Sequence, residues 1–97
     1  MTISATPEQN VKSAAGVALG ALGWVLQDDL RAQRFLDLTG LTPDGLRSAV
    51  DTPETHRAVL DFLLAHEPDL LGAADALDVP PETIVAARRS LGGEPLQ

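Results

Sequence analysis

Ala21-Leu22-Gly23-Trp24-Val25-Leu26 returns 38 residues later, without a gap, as Val59-Leu60-Asp61-Phe62-Leu63-Leu64. The same offset lays Leu41-Thr42-Pro43-Asp44-Gly45-Leu46 over Val79-Pro80-Pro81-Glu82-Thr83-Ile84. Identical pairs are Leu22/Leu60, Leu26/Leu64, Asp37/Asp75, Pro43/Pro81 and Ala49/Ala87, and Trp24 matches Phe62. A constant offset that keeps aromatic over aromatic and proline over proline points to one supersecondary unit used twice.

Working outward from this repeat, start signals for helices recur. Thr6-Pro7, Thr42-Pro43 and Thr52-Pro53 each set a capping hydroxyl before a proline suited to the first helical position. An acidic residue follows each (Glu8, Asp44, Glu54), where the helix dipole favours negative charge. Pro80-Pro81-Glu82 repeats the pattern without the hydroxyl, while Gly40 and Gly92-Gly93 stand where helices stop. The reading is six helices at about 7–27, 29–39, 43–50, 53–66, 68–77 and 81–91. No segment is rich in β-branched and aromatic residues, so no strand is expected. The expected fold is all-α: two pseudo-symmetric three-helix units, about 7–50 and 53–91, packed as one bundle. The single domain spans 6–93, with frayed ends at 1–5 and 94–97, and Trp24 and Phe62 should meet near the pseudo-axis.

Ninety-seven residues suit one domain near the small end of self-sufficient cores. Absence of cysteine excludes disulfides and thiolate chemistry. A net charge of −7 opposes indiscriminate binding to nucleic acid or anionic lipid and favours a basic partner. Ser13 to Leu26 carries no charged side chain. Glu8 before it and Gln27-Asp28-Asp29 after it do not fit a signal peptide, and it is shorter than the roughly 20 residues of a membrane span. It reads as a buried helix of a cytoplasmic protein, with no membrane partner.

Within that helix Gly16, Gly20 and Gly23 stand at i, i+4 and i+7. Each helix-interior glycine costs about 1 kcal/mol relative to alanine. Their alignment points to close approach of another helix, in the same chain or in a partner such as a second copy. Apolar stripes through Val11, Ala15, Ala18, Leu22, Val25 and through Ala14, Val17, Ala21, Trp24 predict burial nearly all round. Trp24, Phe35 and Phe62 read as core.

Residues 74–87 partly fit a helix-turn-helix, with Arg88 and Arg89 as possible nucleic-acid contacts. A reading helix presents donors near its N-terminus. Here those positions hold Pro80, Pro81, Glu82 and Thr83, so nucleic acid is the minor reading. Histidine occurs only at 56 and 66, and His66-Glu67 with Asp69 lacks the i, i+4 spacing of helical metal ligands. No catalytic residue, cofactor or metal site is expected. Arg57/Asp61 and Arg34/Asp37 have helical spacing and read as surface ion pairs.

The blocks Ala21-Leu22-Gly23-Trp24, Arg34-Phe35-Leu36-Asp37-Leu38-Thr39-Gly40-Leu41, Val59-Leu60-Asp61-Phe62-Leu63-Leu64 and Val79-Pro80-Pro81-Glu82 occur in the order seen in a family of small alphaproteobacterial proteins. The chain resembles that family, labelled DUF3572, over about residues 15–93. The resemblance implies a short bacterial cytoplasmic protein and carries no activity or site residues. Association of such genes with those for response regulators points to a signalling component as partner. The functional expectation is a non-catalytic protein–protein interaction or regulatory module, with an atypical helix-turn-helix DNA-binding regulator as the alternative.

Overall fold

The computed structural model describes residues 13–93, and every regular element in that range is a helix. The six are α1 (Ala14–Leu26), α2 (Asp29–Thr39), α3 (Pro43–Ala49), α4 (Pro53–Leu64), α5 (Glu67–Leu77) and α6 (Pro81–Leu91). The all-helical expectation therefore holds, with no strand among the described residues. Thr6-Pro7 and both terminal stretches expected to fray lie outside the described range.

Helix boundaries follow side-chain chemistry. Thr42 and Thr52 accept from the backbone N–H groups of Gly45 and Thr55, and a proline follows each. Asp28 caps α2 by accepting from Arg31 N at 2.9 Å. Gly40 ends α2 in the left-handed conformation at φ 76°, open to glycine without a side-chain clash. The first helix does not run from residue 7 to 27. Ser13 is extended (φ −67°, ψ 156°) and its hydroxyl accepts from Gly16 N, so α1 starts at Ala14.

The core is built by α1, α4 and α6, which pack against one another, with α5 and α2 laid against α1 and α4. Val25, Phe35, Val59, Leu60, Leu63 and Ile84 are wholly buried. Phe35 meets Phe62 edge to face, with centroids 5.5 Å apart and planes at 86°. This differs from the expected meeting of Trp24 and Phe62. Trp24 is half-buried at the edge of the core, against Gly72 of α5 and beneath the Arg31 guanidinium, 3.6 Å from the ring centroid.

The 38-residue offset is still visible in these contacts. Trp24 lies on position 72, and Phe62 has Arg34 over its ring at 5.0 Å. Positions 24 and 62, and positions 34 and 72, are partners in the repeat. The likeness stops at the third helices. α6 is driven into the centre by Ile84, Ala87 and Arg88, whereas shorter α3 touches the other helices only marginally and buries Leu46.

Gly72, not the α1 glycine stripe, marks the tightest approach. A Cβ there would stand 2.6 Å from Trp24 Cζ2 and 3.1 Å from Cη2, both in a rigid ring. At Gly20 it would meet Leu77 Cδ2 at 2.7 Å, the movable end of a flexible side chain. Gly23 is exposed and meets nothing within 4 Å. Opposite stability changes follow. Gly23→Ala should stabilise by up to about 1 kcal/mol through helix propensity. Gly72→Ala should destabilise by about 1–3 kcal/mol through overpacking. Urea unfolding of the two variants tests this, and equal shifts would contradict it.

Candidate functional site

The charge-free helix α1 is not covered all round. Val17, Ala18, Ala21, Leu22 and Val25 turn inward, but Leu19 and Leu26 flank Gly23 on a face left exposed. The corrected reading is a helix with one apolar side open, because α3 does not close over it. Beyond the Gln27–Asp28 joint the exposure continues at Leu30, 78 % exposed, and at Leu38, 56 % exposed. Leucines exposed to that degree contribute little to the fold; Leu19 and Leu26 share the open face of α1, whereas Leu38 lies beside Arg34, Asp37 and Phe62.

Beside this face lies an apolar cavity of about 420 Å³ between α1, α2 and α3. Leu22 and Leu26 come from α1, Leu36 from α2, and Pro43, Leu46, Arg47 and Val50 from α3 and its C-cap. In repeat terms Leu22, Leu36 and Leu46 correspond to Leu60, Ala74 and Ile84. Those three are buried where α6 packs closely on α4 and α5.

α3 is held over this cavity at its ends. Gly40 turns the chain out of α2. At the far end the buried His56 donates from Nε2 to the Val50 carbonyl at 2.9 Å, and Thr52 Oγ1 donates to the Ala49 carbonyl at 2.8 Å. A carbonyl can only accept, so this contact assigns the His56 proton to Nε2. His56 therefore braces α3.

Cations are largely engaged within the molecule. Arg34 binds Asp69, a buried carboxylate that also holds His66 Nδ1 at 2.9 Å, tying α2 to the start of α5. Arg88 donates from Nε to Asp61 Oδ1 at 2.7 Å and from Nη1 to the Gly92 carbonyl at 2.6 Å. Arg31 donates to the Trp24 carbonyl at 2.7 Å, at the end of α1 where the helix dipole favours a cation. Arg57 sits beside Glu54 and reaches the Leu91 carbonyl, while Arg47 pairs with Asp44. The expected pairs Arg57/Asp61 and Arg34/Asp37 are not made: Arg34 and Asp61 reach across to other helices, and Asp37 accepts from Gln33.

This geometry revises the candidate residues. Gly20 faces Leu77 of its own chain, Gly23 stands open, and Gly16 is half-buried at the start of α1. Gly20 thus has the close approach within the chain that the stripe led one to expect, and Gly23 does not. Arg88 is buried and ion-paired, so it cannot join Arg89 as a phosphate contact. The outer side of α6 shows Glu82, Val85, Ala86 and Arg89, a set without the cation cluster that duplex binding needs. Among the described residues no group of three or more His, Cys, Asp or Glu could hold a metal, and no helix is long and apolar enough to cross a membrane.

The sequence reading missed Gly72, the Arg34–Asp69–His66 cluster and the Arg88–Asp61 pair. One signal existed: Arg88 shares a helical face with Ile84, Ala87 and Leu91. Asp69 and Gly72 carry no comparable local mark.

A family model described as "Protein of unknown function (DUF3572)" matches residues 11–94. No curated protein and no solved structure matches the chain.

Proposed function

Because the chain belongs to the DUF3572 family, whose description assigns no activity, we propose from the geometry that it is a protein-docking module acting without chemistry of its own. The observation that carries this reading is the open apolar face of α1, Leu19 and Leu26 beside Gly23, with exposed Leu30 just past the joint in sequence. The charge-free face of α1 on an otherwise acidic surface is where a partner gains burial energy without desolvating charge.

The partner is basic around its apolar contact. Five of the six described arginines are engaged with groups of their own chain, while Asp29, Asp51, Glu67, Asp75, Asp78 and Glu82 are exposed. The outward field is therefore negative and would steer a cationic protein. A bacterial cytoplasmic signalling component fits this description, and a second copy of the acidic chain fits less well.

Affinity capture with a tagged full chain, followed by titration of the recovered partner, tests the reading. Leu26→Asp/Leu30→Asp should keep full helicity and lose at least about 30-fold in affinity, as loss of a central apolar anchor worth about 2 kcal/mol requires. Unchanged affinity would place the partner elsewhere. A saturable, salt-sensitive shift of duplex DNA, lost on Arg89→Ala, would instead revive the DNA-binding alternative.

A further inference from the structure

We propose that the cavity beneath α3 is a binding site for a single aliphatic chain carrying a carboxylate head. This inference goes beyond the docking surface, with which it shares Leu26 at the rim, because it concerns the space between the helices and is read out by ligand titration of the chain alone. Three features of the cavity carry it.

The first is size. At about 420 Å³ the space lies within the 300–1,000 Å³ range of small-molecule sites. It opens to solvent beside Leu26 and Arg47, so a ligand can enter without displacing a helix.

The second is chemistry. Six of the seven lining residues are Leu22, Leu26, Leu36, Pro43, Leu46 and Val50, so the walls offer no hydrogen bond and select an alkyl chain. The seventh is Arg47, whose exposed guanidinium bonds Asp44 Oδ1 at 2.6 Å. A guanidinium carries five N–H donors, so Arg47 retains donors for a second carboxylate. The one charged lining residue thus identifies the head group as an anion.

The third is the repeat itself. Where α6 packs on α4 and α5, Ile84 fills the space between them. At the equivalent place in the first half, α3 is shorter and touches α1 and α2 only marginally: Leu46 is buried, but the apolar groove beside it stays open. The ligand chain occupies the room that α6 fills with its own side chains in the other half. Braces at Gly40, Thr52 and His56 hold α3 as a roof instead of letting it collapse.

Methyl NMR titration of the full chain with octanoate, decanoate and dodecanoate, each below its micelle concentration, tests the site. Shifts should saturate at one ligand per chain, with nuclear Overhauser contacts from the alkyl chain to Leu22, Leu36 and Leu46 methyls. Each added methylene should strengthen binding by up to about 4-fold until the cavity is full, and no further beyond that. Arg47→Gln should weaken dodecanoate by about 2- to 5-fold, the effect of one solvent-exposed charge contact, and leave dodecanol unchanged. Leu26→Trp, at the exposed mouth, should weaken both ligands while circular dichroism stays constant. Non-saturating shifts spread over Leu30, Leu38 and Leu71 would overturn the proposal. So would equal effects of Arg47→Gln on acid and alcohol.

Discussion

Phe35→Ala should lower unfolding free energy by about 3–5 kcal/mol, the range for truncating a fully buried aromatic. Phe35 has no exposed surface and supplies the edge-to-face partner of Phe62. The surrounding interior is mostly alanine, valine and leucine, and the whole chain contains only three aromatics. Small neighbours already in close contact cannot collapse into a ring-sized void, so most of the cavity cost should persist. Domains of this size have total stabilities of about 5–15 kcal/mol, so the variant should be only marginally folded at room temperature. Trp24→Ala should cost less, about 2–3 kcal/mol, because the indole is half-buried. Urea titrations of both variants check the order, and a Phe35→Ala change below about 1 kcal/mol would contradict the packing described.

Asp61→Ala should be nearly as damaging, at about 3–5 kcal/mol, for a different reason. Asp61 and Arg88 join α4 to α6, with side chains only 13 % and 11 % exposed. Removing the carboxylate takes the counter-charge from a guanidinium largely out of water that keeps its bond to the Gly92 carbonyl, so the loss reflects unbalanced charge more than a forfeited attraction. The pair itself contributes little net stability, since desolvation offsets most of the Coulomb gain. Replacing both partners should therefore restore what one replacement loses. Asp61→Leu/Arg88→Met is expected to recover at least about 2 kcal/mol relative to Asp61→Ala. Additive losses in the double variant would mean that each residue acts through separate neighbours.

Much of the helical architecture was legible in the sequence because it is written locally. Thr-Pro-acidic triplets at 42–44 and 52–54, and glycine at 40, state where helices begin and end within a few residues. The 38-residue offset matched Trp24 with Phe62 and led to the expectation that these two would meet, which they do not. Which rings meet depends on how helices cross, and Phe35 outcompeted Trp24 for Phe62. The start of α1 was misread because Ser13 lacks the following proline that marks the other caps.

The candidate site was less legible. Helical spacing paired Arg34 with Asp37 and Arg57 with Asp61, but ion pairs across helices displaced both. Such pairs satisfy carboxylates that packing has already partly buried, a circumstance visible only in three dimensions. The apolar sides of α1 were correctly identified as extensive. Their exposure on one face depends on α3 standing away, and no residue of α1 encodes that.

The open face of α1 and the cavity both adjoin α3 near Leu26, and α3 is seated less closely than α6. Native-state hydrogen exchange tests that inequality most directly, because it measures the opening energy of each helix separately. Amides near Ile84–Arg88 should exchange only with global unfolding, at a free energy matching the urea value. Amides near Leu46–Val50 should open locally, at least about 2 kcal/mol more easily, because α3 buries little and crosses no other helix closely. Equal protection in α3 and α6, both at the global value, would show α3 fully seated on α1 and α2 and would contradict the open cavity and the exposed face together.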